Sequence, residues 1–214
     1  MKKTEIRKEY KFIENEDSKA DHLSHIRNNY KKLHPSRNIQ SLYLDTINLK
    51  IYNDSLSNDV DKFKIRFRKY EKNKEIRKEI KINSSKGRYK LVESTIHNSL
   101  NEIDTYFYKG LALHPIVTIS FHREYYFLGN VRVTIDTNLK SKLNKFFNLV
   151  EPEYFSSKKI IEYKLNDSFN EEKNNFTEKT LIDESTSIED KLFKSSESFS
   201  KYTYSISKLM KNNV

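Results

Sequence analysis

Residues 62–82 read KFKIRFRKYEKNKEIRKEIKI, and charged and apolar side chains alternate along both halves of this stretch. The charged side chains that recur at every second position are Lys62, Lys64, Arg66, Arg68, Glu75, Arg77, Glu79 and Lys81. Side chains two apart on a β-strand share a face, so residues 63–70 and 75–82 are predicted as strands with one charged and one largely apolar wall. The polar residues 71–74 between them suit a hairpin turn.

A similar alternation of charged side chains occurs near the N-terminus, at Arg7, Glu9 and Lys11. On a single strand, such a pattern is typical of the solvated face of an antiparallel sheet. The predicted hairpin is different because it places Arg66 and Arg68 near Lys81, a concentration of like charge that an ordinary surface avoids. A bound anion would relieve this repulsion. The pattern therefore favours a site for a polyanion and the divalent cation that accompanies it.

The composition restricts the chemistry of such a site. Forty Lys and Arg against 30 Asp and Glu give a formal net charge of +10, which favours a nucleic acid, nucleotide, polyphosphate or acidic lipid as partner. The chain has no cysteine and only six histidines, so a thiolate or zinc centre is not expected and any metal should be bound by oxygen. With three glycines, glycine-rich phosphate loops are excluded, and side chains must hold any phosphate.

The length of 214 residues predicts a single domain over residues 1–214. Its N-terminal segment lacks the continuous apolar core of a signal peptide, and no later stretch approaches the roughly 20 apolar residues that cross a bilayer. We therefore expect a cytoplasmic protein without a membrane segment. Residues 166–198 are polar and rich in Glu, Lys and Ser, and they are predicted to form a helical cover or a mobile segment.

Hydrophobic periodicity predicts two helices, at residues 17–34 and 94–110, the first of them ended by Pro35. Further strands are predicted at residues 5–13, 39–45, 116–128, 131–138 and 160–165. The short carboxylates Asp45 and Asp136 are expected to bond local backbone at a turn or a strand end. The Tyr and Phe side chains between the charges are expected to pack the core rather than to stack on bases.

A family resemblance is carried by the order of these segments. They are RKEYKF (7–12), RNIQSLYLDT (37–46), KFKIRFRKY (62–70), EIKI (79–82), FHREYY (121–126), VRVTIDTNL (131–139), IIEYKL (160–165) and FSKY (199–202). Over about residues 5–206 the chain resembles the VTC domain, the polyphosphate polymerase branch of the CYTH-like triphosphate tunnel metalloenzymes. The resemblance implies an α+β fold, an antiparallel eight-stranded β-barrel that forms a tunnel, with its charged faces inward and helices packed outside.

The resemblance also implies site residues. Its triphosphate-binding and catalytic basic positions fall on Lys11, Arg66, Arg68, Lys81, Arg123 and Arg132. Further substrate contacts are expected from Lys64, Lys86, Arg88, Lys164 and Lys201, with Lys208 or Lys211 as alternatives to Lys201. The metal-binding glutamate falls on Glu162, and Glu9 and Glu79 match other acidic positions of the tunnel. The expected metal is Mn²⁺ or Mg²⁺, bound by carboxylates and phosphate oxygens.

The activity that the resemblance implies is metal-dependent transfer of the terminal phosphate of ATP to a growing polyphosphate chain inside the basic tunnel. The expected partners are then ATP or another triphosphate and inorganic polyphosphate, whereas nucleic acid is not expected. If water replaces the acceptor, the same residues make a triphosphatase acting on inorganic triphosphate or on a nucleoside or RNA triphosphate. A further alternative is a non-catalytic module that binds polyphosphate or RNA.

Overall fold

A computed structural model of the chain describes residues 2–5, 9–14, 21–57, 61–85, 87–128, 131–144, 152–164 and 198–211. The strands are β1 (Lys2–Glu5), β2 (Glu9–Glu14), β3 (Lys31–Asp45), β4 (Lys62–Tyr70), β5 (Ile76–Ser84), β6 (Gly87–Ser94), β7 (Tyr106–Tyr108), β8 (Leu111–Leu128), β9 (Val131–Leu143), β10 (Glu153–Ser156) and β11 (Lys159–Lys164). The helices are α1 (Asp21–Asn29), α2 (Lys50–Leu56) and α3 (Lys201–Lys211), with a 3₁₀ turn at Leu100–Glu102.

The strands form one antiparallel sheet whose order is β1-β6-β5-β4-β3-β8-β9-β11-β2, with β10 added beside β9 and β7 beside β8. The two ends of this path, β1 and β2, are successive pieces of the chain. Only residues 6–8 separate them, so the Cα atoms of Glu5 and Glu9 can be at most about 15 Å apart. The two edges of the sheet are thus brought together. Counted as one interrupted strand, β1 and β2 bring the sheet to the predicted eight strands and give it the shape of a tunnel.

Much of the outer face of the sheet is apolar and is covered from outside. Leu23 and Ile26 of α1 pack in one buried cluster with Val133, Ile135 and Ile161 of β9 and β11. The side chains of α1 that meet the sheet are those predicted from its helical periodicity. On β4, the ring of Phe67 lies 6.3 Å from that of Tyr106 in β7, so the segment before β8 covers the adjacent part of the same face.

Helices α2 and α3 instead lie at one end of the inner, charged face. Tyr202 of α3 stacks on Tyr43 of β3 with ring centroids 5.1 Å apart, and its hydroxyl donates to the Asp45 carboxylate. The same carboxylate accepts the backbone N–H groups of Ile51 (2.8 Å) and Tyr52 (2.9 Å), which otherwise have no partner at the start of α2. Asp45 therefore bonds nearby backbone, as predicted, and also ties α2 to α3.

The first predicted helix is wrong at its C-terminal end, because α1 ends at Asn29 and β3 begins at Lys31. Pro35 lies inside β3, where the pairing with β8 is irregular between His34 and Arg37. A proline has no N–H to donate, and an irregular register does not require one at that position. The part of the prediction on residues 17–20 lies outside the described residues.

The second predicted helix, residues 94–110, is also wrong. Only the 3₁₀ turn at Leu100–Glu102 forms there, followed by β7, in which Phe107 is 75% exposed. Short polar side chains bond local backbone instead. Ser99 Oγ accepts the N–H of Asn101 and Asp104 Oδ1 accepts that of Thr105, a competition that disfavours a continuous helix. Strand β6 and helix α2 were not predicted, and residues 166–197 of the predicted polar segment lie outside the described residues.

The predicted strands at 63–70, 75–82, 116–128, 131–138 and 160–165 correspond to β4, β5, β8, β9 and β11. The prediction at 5–13 corresponds to the interrupted pair β1 and β2, and that at 39–45 to the second half of β3. Within the described ranges, none of the helices combines the length and the apolar character that a membrane crossing requires.

Candidate functional site

The inner face of the sheet and the start of α3 enclose a cavity of about 1110 Å³. Among the described residues its basic lining consists of Lys11, Arg37, Lys64, Arg66, Arg68, Lys81, Lys90, Arg123, Arg132, Lys164 and Lys201. Its acidic lining consists of Glu9, Glu79 and Glu162, so basic side chains outnumber acidic ones by eight. A groove of about 1190 Å³ on the outer face holds three lysines against two glutamates, so the inner cavity is far more basic.

The centre of the cavity is organised around the pair Arg66 and Glu79. Arg66 Nε donates to Glu79 Oε2 (2.8 Å) and its Nη1 donates to Tyr43 Oη (2.9 Å). Lys90 Nζ bonds the other carboxylate oxygen at 2.7 Å. Burial alone would raise the pKa of Glu79, but the charges of Arg66, Arg68 and Lys90 hold it well below its usual range. Glu79 is therefore ionised, and cations occupy both of its oxygens.

A second buried pair lies beside α3. The Asp136 carboxylate is 1% exposed; it accepts from Arg123 Nε (2.5 Å) and Nη2 (2.6 Å) and pairs with Lys201 Nζ at 2.5 Å. Burial alone would raise the pKa of Asp136, but these two cations lower it. The prediction that Asp136 bonds local backbone is wrong, because the carboxylate points along the inner face and joins β8, β9 and α3.

Several basic groups have no such counterion among the described residues. Arg68 is 5% exposed and donates to Ser41 Oγ at 3.0 Å; burial and the charge of Arg66 lower its pKa. Burial, with Arg66 nearby, lowers the pKa of Lys81 to about 7. Burial and the charges of Lys11 and Lys62 also lower the pKa of Lys64. Burial is the largest cause of each shift and neighbouring cations add to it, so an anion in the cavity would favour the charged form of these groups.

The sequence profile of the VTC domain family matches residues 2–210, nearly the whole chain. The chain belongs to the VTC domain family. The predicted resemblance is thus confirmed. Among curated proteins, no sequence matches this VTC domain.

Solved structures share the fold of this VTC domain at low sequence identity. An adenylate cyclase candidate from Bacillus halodurans has a TM-score of 0.53 and 14% identity, over 94% of this chain and 96% of that chain. An adenylate cyclase candidate from Vibrio parahaemolyticus has a TM-score of 0.51 and 11% identity, covering 95% and 99%. The PH1819 protein from Pyrococcus horikoshii has a TM-score of 0.50 and 13% identity, covering 96% and 99%. These similarities confirm the tunnel fold.

Two carboxylates of the cavity lining of this VTC domain, Glu9 and Glu162, lie close enough together to share one counterion. Both contact the same ammonium group, Lys164 Nζ, which lies 3.0 Å from Glu162 Oε1. Burial alone would raise the pKa of Glu162, but Lys164 and Arg123 hold it well below its usual range, so the group is ionised. The two carboxylates thus already hold a cation between them. No group of three or more His, Asp or Glu side chains suited to a metal occurs in the described ranges. A metal here would need phosphate oxygens and water as its other ligands.

The VTC domain brings most of the predicted site residues together. Those that line the cavity are Lys11, Lys64, Arg66, Arg68, Lys81, Arg123, Arg132, Lys164, Lys201, Glu9, Glu79 and Glu162. Arg88 is exposed, bonds Asn83 Oδ1 at 3.2 Å and is not among the described lining residues. Lys86 lies outside the described residues. Lys201 is among the described lining residues and the alternative Lys208 is not; Lys208 Nζ lies near the rings of Tyr154 and Tyr204.

Sequence reasoning missed Lys90, Arg37 and Tyr43 as members of the cavity. Lys90 was missed because β6 was not predicted, although Arg88 and Lys90 continue the alternation of charged side chains that marked the neighbouring strands. Tyr43 lies two residues from Ser41 and two from Asp45, so the period of β3 could have placed it on the inner face. Arg37 carried no signal of its own, since the predicted strand began after it.

The lowered pKa of Lys81 predicts that anion binding depends on pH. The group is charged below about pH 7 and neutral above it, whereas a bound polyanion favours the charged form. Tripolyphosphate binding, measured by calorimetry without metal, should therefore weaken about tenfold more between pH 6.5 and 8.5 in the wild type than in Lys81→Met. Lys140, partly exposed and paired with Glu153 on the outer face, supplies the matched control Lys140→Met. Equal pH profiles for wild type and Lys81→Met would contradict this assignment.

Proposed function

We propose that this VTC domain is a metal-dependent polyphosphate polymerase, which transfers the terminal phosphate of ATP to a growing polyphosphate chain inside the cavity. The observation that carries the proposal is the excess of eight basic over acidic side chains on the cavity lining, among which Arg68, Lys64 and Lys81 have pKa values lowered by burial and by neighbouring cations. Such a lining suits a substrate with many adjacent negative charges. Membership of the VTC domain family supports a triphosphate as that substrate.

Three guanidinium groups are fixed in place before any substrate arrives. Glu79 and Tyr43 hold Arg66, Asp136 holds Arg123, and Ser41 holds Arg68. Phosphoryl transfer is catalysed mainly by positioning and by stabilising charge on the transferring phosphate. Fixed guanidinium forks can donate to phosphate oxygens without the cost of ordering flexible side chains. We assign these three arginines the role of orienting the phosphates and stabilising the charge that develops during transfer.

In the proposed reaction an ionised oxygen at the end of the polyphosphate chain bonds to the terminal phosphorus of ATP, and the bond to ADP breaks. The chain gains one phosphate, ADP leaves and no water is consumed. Glu9 and Glu162 would hold the Mg²⁺ or Mn²⁺, and Lys164 would then pair with phosphate oxygens instead. When bound, the metal neutralises phosphate charge and orients phosphate oxygens. Lys11 and Lys81 can hold the incoming end of the chain.

The proposal is tested by phosphorus NMR of the purified protein with ATP and either Mn²⁺ or Mg²⁺. The wild type should produce a growing signal from internal phosphates, and the variant Arg66→Ala/Arg68→Ala should not. Arg27→Ala is the matched control, since Arg27 pairs with Glu124 on the exterior and should leave the signal unchanged. Release of free phosphate alone would replace the proposal with a triphosphatase. An unchanged ATP spectrum would replace it with a non-catalytic polyanion-binding module.

A further inference from the structure

One end of the cavity is lined by four side chains that the proposed chemistry does not use. They are His34, Arg37, Tyr70 and Tyr125, called here the aromatic mouth. Arg37 Cζ lies 4.8 Å from the centroid of the Tyr70 ring and 4.9 Å from that of the Tyr125 ring, and Arg37 Nε donates to Tyr125 Oη at 3.1 Å. The His34 ring packs edge-on against Tyr125 with centroids 5.6 Å apart.

On strands β4 and β8 the aromatic mouth lies two residues beyond the arginines Arg68 and Arg123. Tyr70 follows Arg68 by two residues on β4, and Tyr125 follows Arg123 by two residues on β8. Alternate residues of a strand share a face and are spaced by about 7 Å, so each ring is the next inner-face side chain after an arginine. Arg37 is the register partner of Arg123. A nucleotide whose phosphates lie against the arginines would carry its base into this layer.

The aromatic mouth differs from the other aromatic rings of the inner face in that two of its rings, Tyr70 and His34, are partly open to solvent, whereas Tyr43 and Phe121 are buried. Tyr43 is covered by Tyr202 and bonded by Arg66, and Phe121 lies beneath the cations of Arg123 and Lys201. Within the aromatic mouth, Tyr125 is 7% exposed and held by Arg37, which fixes its position. Tyr70 is half-buried and His34 is exposed, so this layer combines fixed rings with an accessible edge.

We infer that the aromatic mouth binds the base of a nucleoside triphosphate, by stacking against the open parts of the His34 and Tyr70 rings and by contact with the Arg37 guanidinium, both His34 and Arg37 being held in place by Tyr125. Base–aromatic stacking and cation–π contact do not require a particular base, so the site would distinguish a nucleotide from an inorganic triphosphate. It would also orient the substrate, because the base outside the arginine layer leaves the terminal phosphate deepest in the cavity. This inference rests on the proposed function in taking a nucleotide as the substrate.

The test compares two ligands in four proteins. Binding of ATP and of inorganic tripolyphosphate is measured by calorimetry, without metal, to the wild type, Tyr125→Leu, His34→Ala and the control Phe155→Leu. Phe155 is an exposed ring on the outer groove. ATP affinity should fall about tenfold in Tyr125→Leu and severalfold in His34→Ala, while tripolyphosphate affinity changes less than twofold in both. Phe155→Leu should leave both affinities unchanged.

Equal losses for the two ligands, or no loss for ATP, would overturn the inference. Should Tyr125→Leu fail to fold, the exposed His34 position keeps the comparison decisive. Saturation-transfer NMR on the wild type gives an independent readout: transfer to the adenine protons of ATP is expected, and its absence would also overturn the inference. The proposed function fails on a different result. It is contradicted if the variant Arg66→Ala/Arg68→Ala loses binding of neither ATP nor tripolyphosphate.

Discussion

Replacing Arg66 with alanine should slow ATP turnover by about a thousandfold or more, while the protein stays folded. Arg66 is the best-fixed cation in the cavity, bonded to Glu79 through two nitrogens and to Tyr43 through the third. Its loss removes both a charge and a donor fork of fixed direction. Glu79 keeps Lys90 as its counterion in the variant, which is why the fold should survive.

The measurement is the single-turnover rate with ATP and Mn²⁺, with the urea midpoint recorded for each protein. Arg66→Lys keeps the charge but cannot bond Glu79 and Tyr43 together, so its rate should fall between those of the wild type and Arg66→Ala. Arg27→Lys applies the same change on the exterior and should have no effect. If Arg66→Lys turned over ATP at the wild-type rate, a point charge would suffice and the guanidinium geometry would have no role.

Asp136→Asn should lower the free energy of unfolding by about 3–5 kcal/mol at neutral pH, because it removes one partner of a buried ionic group. Asp136 is the carboxylate that both Arg123 and Lys201 contact. The amide leaves two buried cations facing each other across β8 and α3. Urea denaturation without any polyanion measures the loss.

Asp54→Asn is the matched control, since Asp54 pairs with Lys50 on an exposed surface of α2, where such a pair contributes about 1 kcal/mol at most. Adding Lys201→Met to Asp136→Asn should restore part of the stability by removing one of the uncompensated charges. A loss below 1 kcal/mol in Asp136→Asn would show that Asp136 is not the counterion that holds α3 to the sheet.

The predictions that succeeded rest on residues whose local pattern fits only one type of secondary structure. The two-residue period of Lys64, Arg66 and Arg68 fits a strand and not a helix, and it fixes which side chains share a wall. The two-residue period does not predict whether the charged wall faces the inside of the sheet or the solvent. The prediction that it faces inward came from the resemblance to the VTC domain, because a single antiparallel sheet more often exposes such a wall to solvent.

The failures lie where distant parts of the chain override local pattern. The helical spacing of Leu100, Ile103 and Phe107 is overruled because Leu100 and Ile103 pack against the outer wall while Phe107 stays exposed in the edge strand β7. Asp136 looked like a strand-end carboxylate because its partners, Arg123 and Lys201, are 13 and 65 positions away in the numbering of the chain. Pairings of this kind cannot be read from neighbouring residues.

The placement of β1 and β2 at the two ends of the sheet has a consequence for how the protein folds. Strand β2 pairs with β11, so Glu9 meets Lys164 across 155 positions of the chain. This is a contact of very high sequence separation, and such contacts form slowly because a long loop must close first. During synthesis β2 leaves the ribosome long before β11 exists. We therefore expect the pairing of β2 with β11 to form late in folding, after the strands between them.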